Sequence, residues 1–189
     1  MNARFRTLPL LAALCLAVPA LAAPKEDAVA KPVKTVVQSV RYERDAAALK
    51  HFGSEEQGKY LLGDSWDKGT DAQRKEFVSL FQGLFAKLAF PRVRENFKNL
   101  DSITYEPSQV QGNEATVDST VFIKHPLKTQ EMKLQYRLVK EASGWKVVDV
   151  TVLGSSMLKD IRDTQVQPLL QQGGWDLLLG RMRQELAKK

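Results

Sequence analysis

Three kinds of side chain in this sequence could do chemistry: a carboxylate set among valines, two tyrosines and two histidines. In "GWKVVDVTVLGSSML", residues 144–158, Val147, Val148, Val150 and Val152 surround Asp149. A carboxylate in apolar surroundings has a raised pKa and suits acid–base work. Tyr105 and Tyr136 are its candidate neighbours across a sheet. The same acid can instead cap a helix end or pair with an arginine such as Arg162, and on the residues alone both readings stand. His51 falls at the end of an expected helix, and His125 in a turn beside Pro126. Two scattered histidines make no zinc site, and no HExxH, GxSxG, GxGxxG or Walker pattern occurs. The expectation is therefore no metal, no cofactor, and no catalytic residue unless Asp149 is one.

The elements that must position these groups change period midway. A helix fits residues 33–51, with Val36, Val37, Val40 and Leu49 on one side and Gly53 closing it. Ser54 is the candidate cap of a second helix carrying Tyr60, Leu61 and Leu62. "TDAQ", residues 70–73, has the spacing of a capping box, in which a threonine hydroxyl and a glutamine side chain satisfy each other's exposed amides. Phe77, Leu80, Phe81, Leu84, Phe85 and Leu88 then recur at helical spacing until Pro91 kinks or ends the run, and Val93, Phe97 and Leu100 suggest a further turn or two after it. After Asp101 the period becomes two. Ala115, Val117, Ser119, Val121 and Ile123 share one face of a strand, and Met132, Leu134, Tyr136 and Leu138 share one face of the next. Turns at "QGN", "HPLK" and "EASG" make these antiparallel hairpins with one wet face. Beyond Gly154, Ser155 or Ser156 caps a helix bearing Met157, Leu158 and Ile161. Pro168 breaks or bends that helix, Gly173 and Gly174 end it, and "WDLLLGRMRQEL" closes the chain as an amphipathic helix. The fold class is α+β: a curved antiparallel sheet of about four strands between N- and C-terminal helices.

Composition sets the surroundings. Residues 1–22 read as a secretory signal, with Arg4 and Arg6 at the start, an apolar run and a small-residue cleavage site at Ala22. The apolar run is shorter than the ~20 residues a membrane span needs. Residues 23–32 read as a flexible, polar leader, and residues 33–189 as one domain. The single cysteine, Cys15, leaves with the signal, so the mature chain has no disulfide or thiolate. An exported, periplasmic protein held by its core alone is the expectation. Losing Arg4 and Arg6 lowers the 28 basic residues to 26 against 22 acidic ones, net +4. That permits contact with an anionic membrane surface or an acidic partner but gives no nucleic-acid signature.

The wide apolar stripes admit two readings, an ordinary core or a cavity for a lipid, and periodicity does not separate them. "YLLGDSWDKGTDAQRKEFVSLFQGLFAKLAF", residues 60–90, carries a Leu-Gly-x-x-Trp element, a helix start and a Phe-x-x-x-Phe helix. "GWKVVDVTVLGSSMLKDIRDTQVQPLLQQGGWDLLLGRMRQEL" carries Trp-Lys-Val-x-Asp, Gly-x-Ser and Gly-x-Asp-x-Leu. Both resemble the MlaC-type toluene-tolerance family of periplasmic phospholipid-binding proteins, which includes hopanoid-associated members. Leu153 stands where that family has an acid.

The resemblance implies a carrier holding a phospholipid's acyl chains between sheet and helices. Such a carrier exchanges its cargo with an inner-membrane ABC transporter complex and an outer-membrane lipoprotein complex. It assigns the lining to Phe81, Leu84, Phe85, Leu88, Val117, Val121, Met132, Leu134, Tyr136, Val148, Val150, Val152, Met157 and Ile161. Trp145, Asp149 and Gly154 become fixtures of a strand–helix corner. Two alternatives stand beside it: a small α+β enzyme using Asp149 as acid or base, and a non-carrier adaptor of membrane machinery. The adaptor would dock through Arg92, Arg94 and Lys98 or through Arg181, Arg183 and Lys188.

Overall fold

The structure, a computed structural model, describes residues 27–188; the signal at 1–22 and the leader up to residue 26 lie outside them. The folded body begins inside the expected leader. Asp27 accepts hydrogen bonds from the Val29 and Ala30 amides and from the Ser108 amide and hydroxyl, tying the start of the chain to the sheet region. Helix α1 (Ala30–Arg41) follows, with Val29, Ala30 and Val33 buried. The single helix expected over residues 33–51 is two. Glu43 takes a left-handed φ of 57°, and α2 (Asp45–Leu49) starts after it. Residues 51–53 then run beside the sheet: Phe52 bridges Val147, with the Val147 amide donating to the His51 carbonyl and the Gly53 amide to the Val147 carbonyl.

Helix α3 (Ser54–Leu62) starts on Gly53 without a side-chain cap. Ser54 is drawn off instead: its hydroxyl accepts from Gln82 Nε2 at 2.5 Å. After the short α4 (Ser65–Lys68), the "TDAQ" box forms as spacing requires, Thr70 capping Gln73 and Gln73 Oε1 accepting from the Thr70 amide at 2.9 Å. Helix α5 (Asp71–Asn96) continues past Pro91, so the proline does not end it and a further turn follows, as Val93 and Phe97 suggest. Proline removes one backbone donor but its φ suits a helix. Phe90 and Phe97, both buried, hold the chain against the core on either side of it.

The sheet has six strands, two more than expected: β1 (Leu100–Tyr105), β2 (Gln109–Gln111), β3 (Glu114–Lys124), β4 (Thr129–Glu141), β5 (Gly144–Val152) and β6 (Ser155–Ser156). The order is β1-β3-β4-β5-β6 with β2 also on β3, all antiparallel, curved and unclosed. The missed strands are two and three residues long, too short for any period to register. The expected faces hold, with Ala115, Val117, Ser119, Val121, Leu134, Tyr136 and Leu138 all buried. Helix α6 (Met157–Ile161), a π-helical turn (Arg162–Val166) and α7 (Gln167–Ala187) complete the chain. Gly173 and Gly174 break the last helix with non-helical dihedrals, as their sequence predicts.

Two apolar cores result. One lies under the sheet and takes in α1, Phe52, Phe90 and Phe97. The other is helical, built from Leu61, Leu62, Trp66, Phe77, Phe81, Leu158, Leu178 and Leu179. Phe85 packs against both.

Candidate functional site

Strand β5 meets β4 with a fault in register. Leu138 faces Val147 and Arg137 faces Asp149, so Val148 is an extra residue, a β-bulge. The bulge sends Val147 into the core under the sheet and Val148 into the helical core. It also leaves a carbonyl without a ladder partner, and buried backbone acceptors must be satisfied. Gln57, 4 % exposed, does this: its Nε2 donates to the Val148 carbonyl at 2.8 Å. Around this bond runs a seam lined by Phe52, Gln57, Phe85, Val148, Asp149, Val150, Met157, Leu158 and Ile161. Its free volume is about 10 Å³, the room of roughly one water.

Phe85 is the hinge of the aromatic packing there. Its ring lies 5.5 Å from that of Phe52, 5.9 Å from Phe81 and 5.5 Å from Phe90, in edge-on or tilted arrangements. At the seam's sheet side, Asp149 closes the corner between β5 and α6. Its carboxylate accepts from the Val150 amide (2.8 Å), the Leu158 amide (2.9 Å) and the Ser156 hydroxyl (2.5 Å). The Ser156 hydroxyl in turn caps α6 at the Lys159 amide. Both oxygens are thus engaged by the corner, and no ion pair joins Asp149 to Arg162 among the described residues. Leu153 and Gly154, with φ of 51° and 85°, make the tight turn between β5 and β6.

A second opening lies elsewhere. Between α1 and the edge strand β1, a groove of about 230 Å³ is walled by Lys34, Val37, Gln38, Arg41 and Tyr42 on one side and by residues 100–103 and Tyr105 on the other. Lys34 stands 5.4 Å above the Tyr105 ring and Arg41 5.8 Å from that of Tyr42. The single acid of the groove, Asp101, pairs with Lys124 at 2.6 Å. Burial pushes the Tyr105 hydroxyl well above the usual tyrosine range, with Tyr136 adding to it. Burial likewise raises Tyr136, opposed by the Ser119 hydroxyl.

Of the fourteen residues assigned to the lining, the structure brings Phe85, Val148, Val150, Met157 and Ile161 together at the seam. Val117, Val121, Leu134 and Tyr136 are packed into the core under the sheet, with Met132 and Val152 against it. Phe81 and Leu84 belong to the helical core. Leu88 is a correction: at 44 % exposed it faces solvent, because the helical period drifts off the core face over so long a helix. Trp145 packs at the margin of the core under the sheet. Phe52, Gln57 and Leu158 were missed. Gln57 had a signal, a polar side chain on the apolar side of a helix, and so did Leu158, which shares its expected helix face with Met157 and Ile161.

The histidines lie apart from the seam. His51 is held below its ordinary pKa by burial and by nearby Lys146, and His125 shares a hydrogen bond with Gln130 in the exposed β3–β4 turn. Among the described residues no group of three His, Cys, Asp or Glu side chains is placed to hold a metal. No described helix is long and apolar enough to cross a membrane. The basic residues of the adaptor reading are largely occupied: Arg94 pairs with Asp45, Lys98 with Glu95, Arg183 with Glu76 and Lys188 with Glu185.

No curated protein sequence matches this chain. Among solved structures, it is similar to a phospholipid-binding protein from Ralstonia solanacearum in complex with a phospholipid, with a TM-score of 0.68. The two share 18 % identity over 85 % of this chain and 95 % of that one, a likeness of fold. The family model described as "MlaC protein" matches residues 29–184, so the chain belongs to the MlaC family.

Proposed function

We propose that this protein binds a phospholipid, with its acyl chains between sheet and helices, and carries it between membranes. The observation that carries this reading is the match to the MlaC family over nearly the whole described body. The Ralstonia protein of the same fold holds a phospholipid, which supports the same ligand class here. The geometry adds a route. Two separately packed cores meet at a seam crossed by one buried side-chain hydrogen bond, that of Gln57. Parting them there exposes two apolar walls, and each CH₂ of an inserted chain recovers about 0.8 kcal/mol. Binding asks for no catalytic group, and Asp149 serves the corner.

In this proposal the signal is cut after Ala22 and the mature protein works in the periplasm. It exchanges lipid with an inner-membrane ABC transporter complex and an outer-membrane lipoprotein complex, touching membrane surfaces transiently. Leu127 and Leu153, 99 % and 82 % exposed at turn tips, suit such contact. The adaptor reading draws on the closed seam, and one experiment separates the two. Lipid extracted from purified protein and identified by mass spectrometry, together with uptake from labelled vesicles, supports the carrier. No recovered lipid and no uptake would sink it and favour the adaptor.

A further inference from the structure

Resting on the carrier reading, we infer that Arg162 binds the phosphate of the lipid at the end of the seam. Leu158 lines the seam, and Arg162 follows it by four residues along the same helical face. On the opposing helix Gln57 lines the seam and Tyr60 follows by three. The two meet one turn beyond the apolar walls, the Arg162 guanidinium carbon 5.3 Å from the centre of the Tyr60 ring.

Arg162 is only partly satisfied, by the Tyr60 ring and the charge of the adjacent Asp163. Its Nε is shut off from solvent and has no hydrogen-bond partner, although the residue as a whole is only half-buried. Among the described residues it has no carboxylate at ion-pair distance. The adjacent Asp163 is taken by Lys159 at 2.6 Å, and the nearby Asp160 makes no ion pair with Arg162. A buried donor on a cation without an acceptor is costly, so such a group calls for a partner. Nε and an Nη of one guanidinium form a fork that matches two phosphate oxygens. The backbone here is a π-helical turn, Arg162–Val166, a feature that concentrates at functional sites. A phospholipid whose chains enter between Phe85, Val150 and Ile161 brings its phosphate to this end, where the guanidinium sits over the Tyr60 ring.

The test compares delipidated wild type, Arg162→Gln and Arg162→Lys. The probes are pyrene-labelled phosphatidylglycerol and pyrene-labelled diacylglycerol of the same chain length. The expected result is a loss of roughly tenfold or more for phosphatidylglycerol in Arg162→Gln, a smaller loss in Arg162→Lys, and diacylglycerol binding unchanged in both. Equal losses for the two probes, or none for either, overturn the inference. A wild type that takes up neither probe overturns the carrier reading itself, and the inference with it. Melting curves accompany both variants. Should Arg162→Gln not fold, Arg162→Lys decides, since it keeps the charge and loses the fork: a loss confined to phosphatidylglycerol supports the inference, and any other pattern overturns it.

Discussion

The two openings of this molecule differ in a way that runs against their size. The groove between α1 and β1 holds about 230 Å³ and is rimmed by Lys34, Arg41 and two tyrosines; the seam at Phe85 holds about 10 Å³ and is almost wholly apolar. A polar-rimmed groove stays open because water fills it. An apolar gap has no such filling, and its walls lose dispersion contacts unless they close. The volume of an opening therefore says little about where an apolar chain goes. What matters is how much must be broken to part the walls, and at the seam that is packing, the buried Gln57 bond and the Asp149 bonds at its corner.

The sharpest way to break this comparison is to remove the residue shared by both cores. Phe85→Ala deletes three ring contacts and is expected to cost about 3–5 kcal/mol, read as a fall in the denaturant midpoint. Ser102→Trp, which fills the exposed groove, is expected to leave both the midpoint and lipid uptake near wild type. Uptake lost on filling the groove and kept when the seam is damaged would reverse the assignment of the two openings.

Next in size is the bond across the seam. Gln57→Leu keeps the volume but strands the Val148 carbonyl, at an expected cost of about 1–3 kcal/mol. Because this is the one fully buried side-chain bond across the seam among the described residues, faster lipid uptake from vesicles should accompany the lower stability. Slower uptake would mean that the bond organises the site rather than restraining it.

A third effect separates the chain's start from the seam by pH. Burial pushes the Asp27 carboxyl up, but hydrogen bonds from Ser108, Ala30 and Val29 outweigh it and hold the pKa below the ordinary 3.8. A depressed carboxylate contributes stability that is complete above the ordinary value and is lost as the pH falls through the lower one. Acid unfolding of wild type should contain this component and Asp27→Asn should lack it. Identical acid profiles would show that the start of the chain is not anchored.

These sites divide by how locally they are encoded. The Thr70–Gln73 box, the faces of β3 and β4 and the Gly173–Gly174 break were legible because each needs only neighbours a few residues apart. Pro91 was legible in part, since the sequence left open whether it kinks or ends the run. The helix continues because Phe90 and Phe97, buried in the core on either side, outweigh a lost backbone bond. The seam was half legible. Val148 and Val150 stood out as valines beside an acid, but the bulge that turns Val148 the other way depends on β4 pairing. Phe52 reaches the seam only through its bridge to Val147, a contact 95 residues apart that no period records. Arg162 stood out only as a possible partner for Asp149, and its unpartnered Nε was not legible, being a property of the folded surroundings.

The smallest effect lies at the turn beside that corner. Leu153 holds a φ of 51° while 82 % exposed, so it keeps a left-handed backbone with little packing in return. Leucine adopts that region at a cost that asparagine largely avoids. Leu153→Asn should therefore raise stability by about 0.5–1 kcal/mol, seen as a melting temperature higher by a few degrees. Lipid binding in detergent-free solution should not change, because Leu153 touches neither opening. Transfer from vesicles is the discriminating measurement. If it slows while binding holds, the exposed leucine is kept for contact with a membrane surface, at the expense of the turn that carries it.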